Sequence, residues 1–540
     1  MGRTSLFASI ERALRLAWAT ERTGLPPDEL RARAAARRGL SRRGLLAGGA
    51  GAAALLATGC GPRAARPGGG APRVGIIGGG MAGLTCAWYL QEGGVRAEVI
   101  EGSARVGGRM FSARGKFADD QVAELGGELV NSNHVTMHAL ARVLDLELVD
   151  LHANEPAGHV REAIVVGGKH LGEAELLAAF RPLAGRMAAA MAGTDTDKAR
   201  LDALDQTSIA AWLEREGLDS PLRALLAEAY TGEFGLEADE QSALNLLTMI
   251  DFERTDHFHL LGDSDERFHT RGGNDLFPTR LAERLERPVT LGTRLVAIGA
   301  GSGGGFRVVL DAGGGLRERD FDHLVLALPF TLLREVDVQL ELPPLKRQVI
   351  AELGYGTNSK LMGGFTSRPW RERHNAAGTA VTDNGLQFIW DTARGQPGAA
   401  GLLTNYCGGK RGLGLDAGTA DAQLRAALPQ IDQLFPGTAA AYAGTAVRMH
   451  WPSVKLARGS FACYRVGQWA LSGQEGTRVG NLHFCGEHTS EEFQGFMEGA
   501  AETGAGVART ILAELTGAAT APAPAPVSRR ALIGARRRAG

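Results

Sequence analysis

At 540 residues with 44% hydrophobic content, the chain is long enough for two domains with ordinary globular cores. Its formal net charge of −1 hides a split: residues 1–72 carry 12 Arg against 4 acids and residues 529–540 carry 5 Arg, leaving an acidic body between them. An acidic body argues against a nucleic-acid partner and would attract cationic amines, although solubility alone also explains it.

Residues 1–60 read as a leader. Ser41-Arg42-Arg43-Gly44-Leu45-Leu46 is a twin-arginine signature, and the weakly apolar run Leu45 to Thr58 is too short and too rich in small residues for a membrane span. The expectation is export by the twin-arginine machinery, which moves folded proteins. Ala57-Thr58-Gly59-Cys60 resembles a lipoprotein cleavage box with Ala57 where Leu is usual. Lipidation and membrane attachment at Cys60, simple cleavage near Gly59 and retention of the leader all stay open. Ser9 to Thr20 has the pattern of an amphipathic helix. Residues 61–72 form a Gly/Pro/Arg-rich linker.

The strongest local signal follows. Val74 to Ile77 is an apolar strand, Gly78-Gly79-Gly80 a tight turn, and Met81-Ala82-Gly83 the start of a helix. Gly78, Gly80 and Gly83 fill the positions of a dinucleotide fingerprint: the first allows the turn, the second the approach of a pyrophosphate, and the third close helix–strand packing. The phosphates would lie on the helix N-terminus. The strand Arg96 to Ile100 delivers Glu101, an acid suited to ribose hydroxyls and unsuited to a 2′-phosphate. Arg105-Val106-Gly107-Gly108-Arg109 then reads as a second anion clamp.

Further along, 160–169 reads as a strand hairpin, 172–265 is mainly helical, and Thr293 to Ile298 and Phe306 to Leu310 alternate as strands. Residues 516–540 have the composition of a disordered basic tail. No C-x-x-C spacing exists, and His450, His483 and His488 do not recur at ligand spacing, so no metal site is expected.

The fingerprint, VIEGSARVGGRMFS, AELGGELVNSNH at Ala123 to His134, RGGNDLFPTRLAERL at Arg271 to Leu285, LVLALP at Leu324 to Pro329, GTNSK at Gly356 to Lys360, and FCGEHTSEEFQGFMEGAAETG at Phe484 to Gly504 together resemble the flavin-containing amine oxidase family. The resemblance covers roughly Val74 to Leu515. It implies an α/β fold of two interleaved parts: a Rossmann-like FAD-binding domain over 73–160, 271–335 and 456–515, and a substrate domain of mixed sheet plus helices over 161–270 and 336–455.

The resemblance also implies site roles. The cofactor-binding set is Gly78, Gly80, Met81, Ala82, Gly83, Glu101, Arg105, Gly108, Arg109, Gly126, Gly127, Glu128, Val296, Gly486, Glu487, Met497, Gly499 and Ala500. Gly499 and Ala500 would open a helix against the flavin ring, and Glu498 reads equally as a helix cap. The catalytic set is Lys360, which ends the family's lysine-bearing segment and would hold a water for reaction with oxygen, with Phe461 and Phe496, which take the place of the two facing tyrosines of monoamine oxidases. Trp370, Trp390, Tyr406 and Trp469 are further aromatic candidates. Ser460 stands where covalent flavin enzymes carry cysteine, so FAD should be non-covalent. Leu129 stands where L-amino acid oxidases place a carboxylate-gripping arginine, which favours a simple amine.

The expected activity is oxidation of a primary or secondary amine to imine and aldehyde, with electrons passing to oxygen to give hydrogen peroxide. The rivals are an L-amino acid oxidase, an oxygen-independent flavin dehydrogenase or desaturase, and a binding protein that keeps FAD structurally.

Overall fold

The computed structural model describes residues 5–32, 72–153, 158–218, 220–248 and 264–517. The twin-arginine signature, Cys60 and the C-terminal tail lie outside these residues. Among them no helix is long and apolar enough to cross a membrane.

Three sheets organise the body. The first is four-stranded and parallel throughout. Its central strand β1 (Val74–Ile77) is fully buried and leads through the glycine turn into α2 (Met81–Glu92), with α1 being the N-terminal helix Ser5–Thr23. On one side β1 pairs with β2 (Glu98–Ile100), Gly75 opposite Glu98. On the other it pairs with β8 (His323–Leu326), Val74 opposite His323, and β8 pairs with β15 (Leu482–Phe484), Leu324 opposite Leu482. Short, near-continuous apolar strands are what a parallel sheet covered on both faces requires. The strands come from three distant stretches of chain, so this domain is interleaved with the rest, as expected. One face is covered by α2 and the C-terminal helix α6 (Met497–Thr516).

The second sheet is mixed and seven-stranded. In order it runs β14 (Tyr442–His450), β10 (Ser359–Phe365), β13 (Gly401–Cys407), β12 (Gln387–Asp391), β11 (Ala380–Thr382), β3 (Ala163–Val166) and β4 (Lys169–His170). All pairings are antiparallel except β11 with β3. The expected hairpin at 160–169 is β3–β4, turned on Gly167 and Gly168, both at positive φ, as a two-residue hairpin requires. The third sheet joins β5 (Arg294–Ala300), β6 (Phe306–Asp311), β7 (Leu316–Phe321) and β9 (Asp337–Val338).

The lysine-bearing strand departs from expectation. Lys360 does not end it: the strand begins at Ser359 and runs on to Phe365. The preceding stretch is irregular because bare backbone packs there. A Cβ on Gly354 would lie 2.4 Å from the Cys463 carbonyl oxygen, and one on Gly356 2.4 Å from that of Phe234.

The described helices of the 172–265 block include α4 (Glu173–Met191) and α5 (Ser220–Phe234); residues 249–263 lie outside the described set. The N-terminal helix belongs to this block. Along α1, Ile10, Ala13, Leu14 and Ala17 recur at three-to-four spacing and are buried in the same apolar core as Phe180, Leu183 and Met187 of α4. Arg181 faces Glu21 at 3.8 Å, and Arg31 pairs with Glu173. The amphipathic pattern at 9–20 is therefore a docked helix slightly longer than expected.

Candidate active site

A cavity of about 830 Å³ runs between the parallel sheet and the seven-stranded sheet. Its lining includes every residue of the expected cofactor-binding and catalytic sets except Gly83 and Gly499. Those two glycines act by packing. A Cβ on Gly83 would lie 2.0 Å from the Gly78 carbonyl oxygen, and one on Gly499 2.1 Å from that of Phe493.

At the fingerprint, Gly80 caps α2 without a side-chain hydrogen bond, so the first-turn N–H groups have no side-chain acceptor there. A Cβ on Gly80 would meet no atom within 4 Å, leaving the cradle open for a phosphate. Glu101 is buried, and its carboxylate is fixed by the N–H groups of Gly79 at 2.6 Å and Ser103 at 2.7 Å. A carboxylate has about four acceptor sites, so lone pairs remain for ribose hydroxyls.

The two arginines of the second loop are engaged differently from an anion clamp. Arg105 donates to the carbonyls of Val106, Gly108 and Met110 and lies 4.0 Å over the Phe111 ring. Arg109 donates to Glu487 at 2.8 Å and to the Ser460 carbonyl at 2.6 Å. Glu487 also accepts from the Gly495 N–H at 2.9 Å. These contacts fix the guanidiniums in the cavity wall, where both arginines remain part of the lining.

Helix α6 starts at Met497, and Met497 and Ala500 face the cavity. Glu498 points elsewhere: it accepts the N–H groups of Thr136 and Met137 at 2.8 Å each, capping α3 (Val135–Val143). The capping reading holds for Glu498, but on a neighbouring helix.

Lys360 is buried, and its three ammonium protons are all used. They go to Glu128 Oε2 at 2.6 Å, the Gly126 carbonyl at 2.9 Å and the Glu124 carbonyl at 3.0 Å. The buried lysine thus has a carboxylate partner, Glu128, within the cavity wall. Glu128 is in turn held by Trp390 Nε1 at 2.8 Å. Sequence reasoning missed this pair because the partners lie 232 positions apart.

Phe461 and Phe496 both line the cavity. The Phe496 ring packs edge-on against His134 at 5.2 Å and Phe493 at 6.4 Å. Burial lowers the His134 imidazole to about 3, so this backing is uncharged near neutral pH. Trp390 and Tyr406, 5.5 Å apart, form a second aromatic wall, whereas Trp370 and Trp469 are core. Of the four described cysteines, Cys86, Cys407, Cys463 and Cys485, none lines the cavity.

Two lining residues had no motif to announce them. Glu266 is 2% exposed, and its carboxylate has no hydrogen-bond or ion-pair partner among the described residues. Burial pushes its pKa well up, the carboxylates of Glu233 and Glu162 add to this, and Arg394 opposes it. Arg394 lines the same cavity.

The flavin containing amine oxidoreductase family matches residues 81–512. The chain belongs to that family. Its cofactor is FAD, and the open Gly80 cradle and fixed Glu101 fit the pyrophosphate and ribose of that group. The chain is 25% identical over 472 residues to lysine-specific histone demethylase 1 homolog 1 of Arabidopsis thaliana, covering 80% of this chain and spanning about half, 51%, of that relative. It is 22% identical over 461 residues to a putative L-amino-acid oxidase of Bacillus subtilis (strain 168), covering 80% of this chain and 92% of that one. Among solved structures, putrescine oxidase bound to putrescine superposes with a TM-score of 0.70 at 22% identity, covering 82% of this chain and 99% of the other. At that identity the likeness shows the shared fold. This flavin amine oxidoreductase thus has the expected α/β architecture.

Proposed function

We propose that this chain oxidises a primary or secondary amine to an imine, which water hydrolyses to the aldehyde, with oxygen as electron acceptor and hydrogen peroxide as product. FAD supplies the redox chemistry by accepting two electrons and a proton equivalent from the amine's α-carbon. The chain's own residues bind, orient and exclude water. Phe461, Phe496, Trp390 and Tyr406 offer apolar faces that would align the amine and keep the chamber dry. The Lys360–Glu128 pair fixes the strand edge beside them.

The observation that carries the reading is Glu266. A buried carboxylate without a hydrogen-bond partner among the described residues is costly, and an alkylammonium on the substrate would supply charge and donors there. Leu129, apolar and also in the lining, agrees with a substrate that lacks a carboxylate. Arg394 favours a second reading, oxidation of an L-amino acid, because it brings a guanidinium to the same wall from a different segment.

A peroxide-release panel of simple amines, diamines and amino acids separates the two. Turnover of amines, with KM raised at least about tenfold in Glu266→Gln and kcat little changed, supports the amine reading, a tenfold change corresponding to about 1.4 kcal/mol. Turnover of amino acids alone, lost in Arg394→Met, overturns it. Export by a twin-arginine signal, with Cys60 as a site of lipid attachment, belongs to the same proposal and rests on Ser41 to Leu46 and Ala57 to Cys60 alone.

A further inference from the structure

The back of the parallel sheet, away from the cavity, holds a second cluster. His323 opens β8, and His483 lies on the neighbouring β15, opposite Val325. Val325 belongs to the core shared with α2 and α6, and Glu514 on the last turns of α6 completes the group. The ligand-type atoms of His323, His483 and Glu514 all lie within 4.8 Å of one another. The two imidazoles stack at 5.8 Å with their planes 23° apart.

Three atoms here lack a partner among the described residues: His323 Nδ1, His483 Nε2 and Glu514 Oε2 are buried and make no hydrogen bond there. The other oxygen of Glu514 is paired with Arg478. Leaving a buried polar atom unsatisfied is costly. Three side chains with such atoms, meeting from two strands and a helix, call for a shared partner.

We propose that His323, His483 and Glu514 bind one divalent transition-metal ion, with Zn2+ as the best match. Two imidazoles and a carboxylate are borderline donors of the type Zn2+ takes, and three protein ligands leave a fourth position for water. Metal–ligand bonds of about 2.0–2.2 Å require the donor atoms to stand closer than they do here, roughly 3.4 Å apart. Binding would require the side chains to rotate about Cα–Cβ and Cβ–Cγ to bring the donors together. Arg478 orients Glu514 by holding its second oxygen, as outer-shell partners do. The ion would tie the C-terminal end of α6 to the sheet, while the N-terminal end of the same helix faces the cavity. No local spacing announces this site, because the three ligands are widely separated along the chain.

The test uses untagged, flavin-loaded protein, stripped with chelator and dialysed. Co2+ alone is titrated while the visible ligand-field absorption is followed in difference against the flavin, and Zn2+ binding is measured by calorimetry. The expected result is one ion per chain, a Co2+ band of a four-coordinate site, and a Zn2+-dependent rise in Tm. In Glu514→Gln, a half-buried change compatible with folding, Kd should rise by at least the roughly 10–100-fold that losing an outer-shell partner costs. His323→Gln and His483→Gln should abolish the band, with the bound flavin ratio reporting folding. Absence of a Co2+ band in the wild type, or equal affinity in wild type and Glu514→Gln, overturns the proposal and leaves a water as the shared partner.

Discussion

Lys360 Nζ and Glu128 Oε2 meet at 2.6 Å with both side chains less than a tenth exposed. Removing one member leaves the other charge buried and uncompensated, at a cost of about 3–5 kcal/mol, whereas removing both is far milder. Lys360→Met and Glu128→Gln should therefore each lower stability by that order, and the double variant should recover much of the loss. Denaturant titrations of the four proteins form the cycle. Additive single effects would show that the pair is not coupled. Stopped-flow reduction and reoxidation of the same set tells whether Lys360 also serves the reaction with oxygen. An effect on reoxidation that exceeds the effect on reduction assigns it that role.

The fingerprint glycines separate binding from folding. Gly80 has open space where a side chain would go, whereas at Gly83 an added Cβ would meet the Gly78 carbonyl oxygen at 2.0 Å. Gly80→Val should give folded, colourless protein, because the side chain fills the phosphate cradle. Gly83→Val should fail to accumulate as soluble protein, because helix and strand can no longer close. Flavin absorbance per chain and far-UV circular dichroism check both. Yellow Gly80→Val protein would place the phosphates elsewhere.

The FAD-binding half was legible because its signals are local. A strand, three glycines, a helix and an acid lie within 28 residues from Val74 to Glu101, and each residue's role follows from the backbone geometry it permits. The partners that satisfy charge were not legible. Glu128 reads as a cofactor residue next to a glycine pair until β10 brings Lys360 against it. Arg105 and Arg109 read as anion ligands until their loop carbonyls and Glu487 claim them. Glu266 and Arg394 have no surrounding motif at all. Periodicity reports which side of a strand is apolar, but not which distant side chain fills the opposite wall.

Glu502 gives a pH signature. It lies one turn after Glu498 in α6 and accepts from Ser490 Oγ at 2.6 Å. Burial raises its carboxyl from 4.5 to about 7, and Glu498 and Glu492 add to the shift. Between those values the folded chain holds a proton that the unfolded chain has lost, so this group's contribution to stability falls as pH rises from 4.5 to 7 and is gone above 7. Glu502→Gln should flatten that slope and be more stable than the wild type at pH 8, by an amount of order 1–3 kcal/mol. Denaturant midpoints at pH 5, 6 and 8 check it, and an unchanged slope would mean that Glu502 is ionised throughout.

The docked N-terminal helix bears on maturation. Leu14 of α1 is 1% exposed within the core it shares with α4, and Leu16 joins Leu177 and Leu30 in a smaller cluster. Leu14→Ala should cost about 2–4 kcal/mol through lost burial and the cavity left behind. Removing residues 1–59, as cleavage near Gly59 would, should uncover the face of α4 around Phe180 and Met187. The trimmed chain should keep its flavin, since no residue of α1 lines the cavity, yet melt at lower temperature and bind a dye for exposed apolar surface. If the trimmed chain matches the full chain in both measurements, α1 adds nothing to the mature fold and the leader can be lost without consequence. If it does not, the active mature protein should retain Ser5 to Thr23, which its N-terminal sequencing decides.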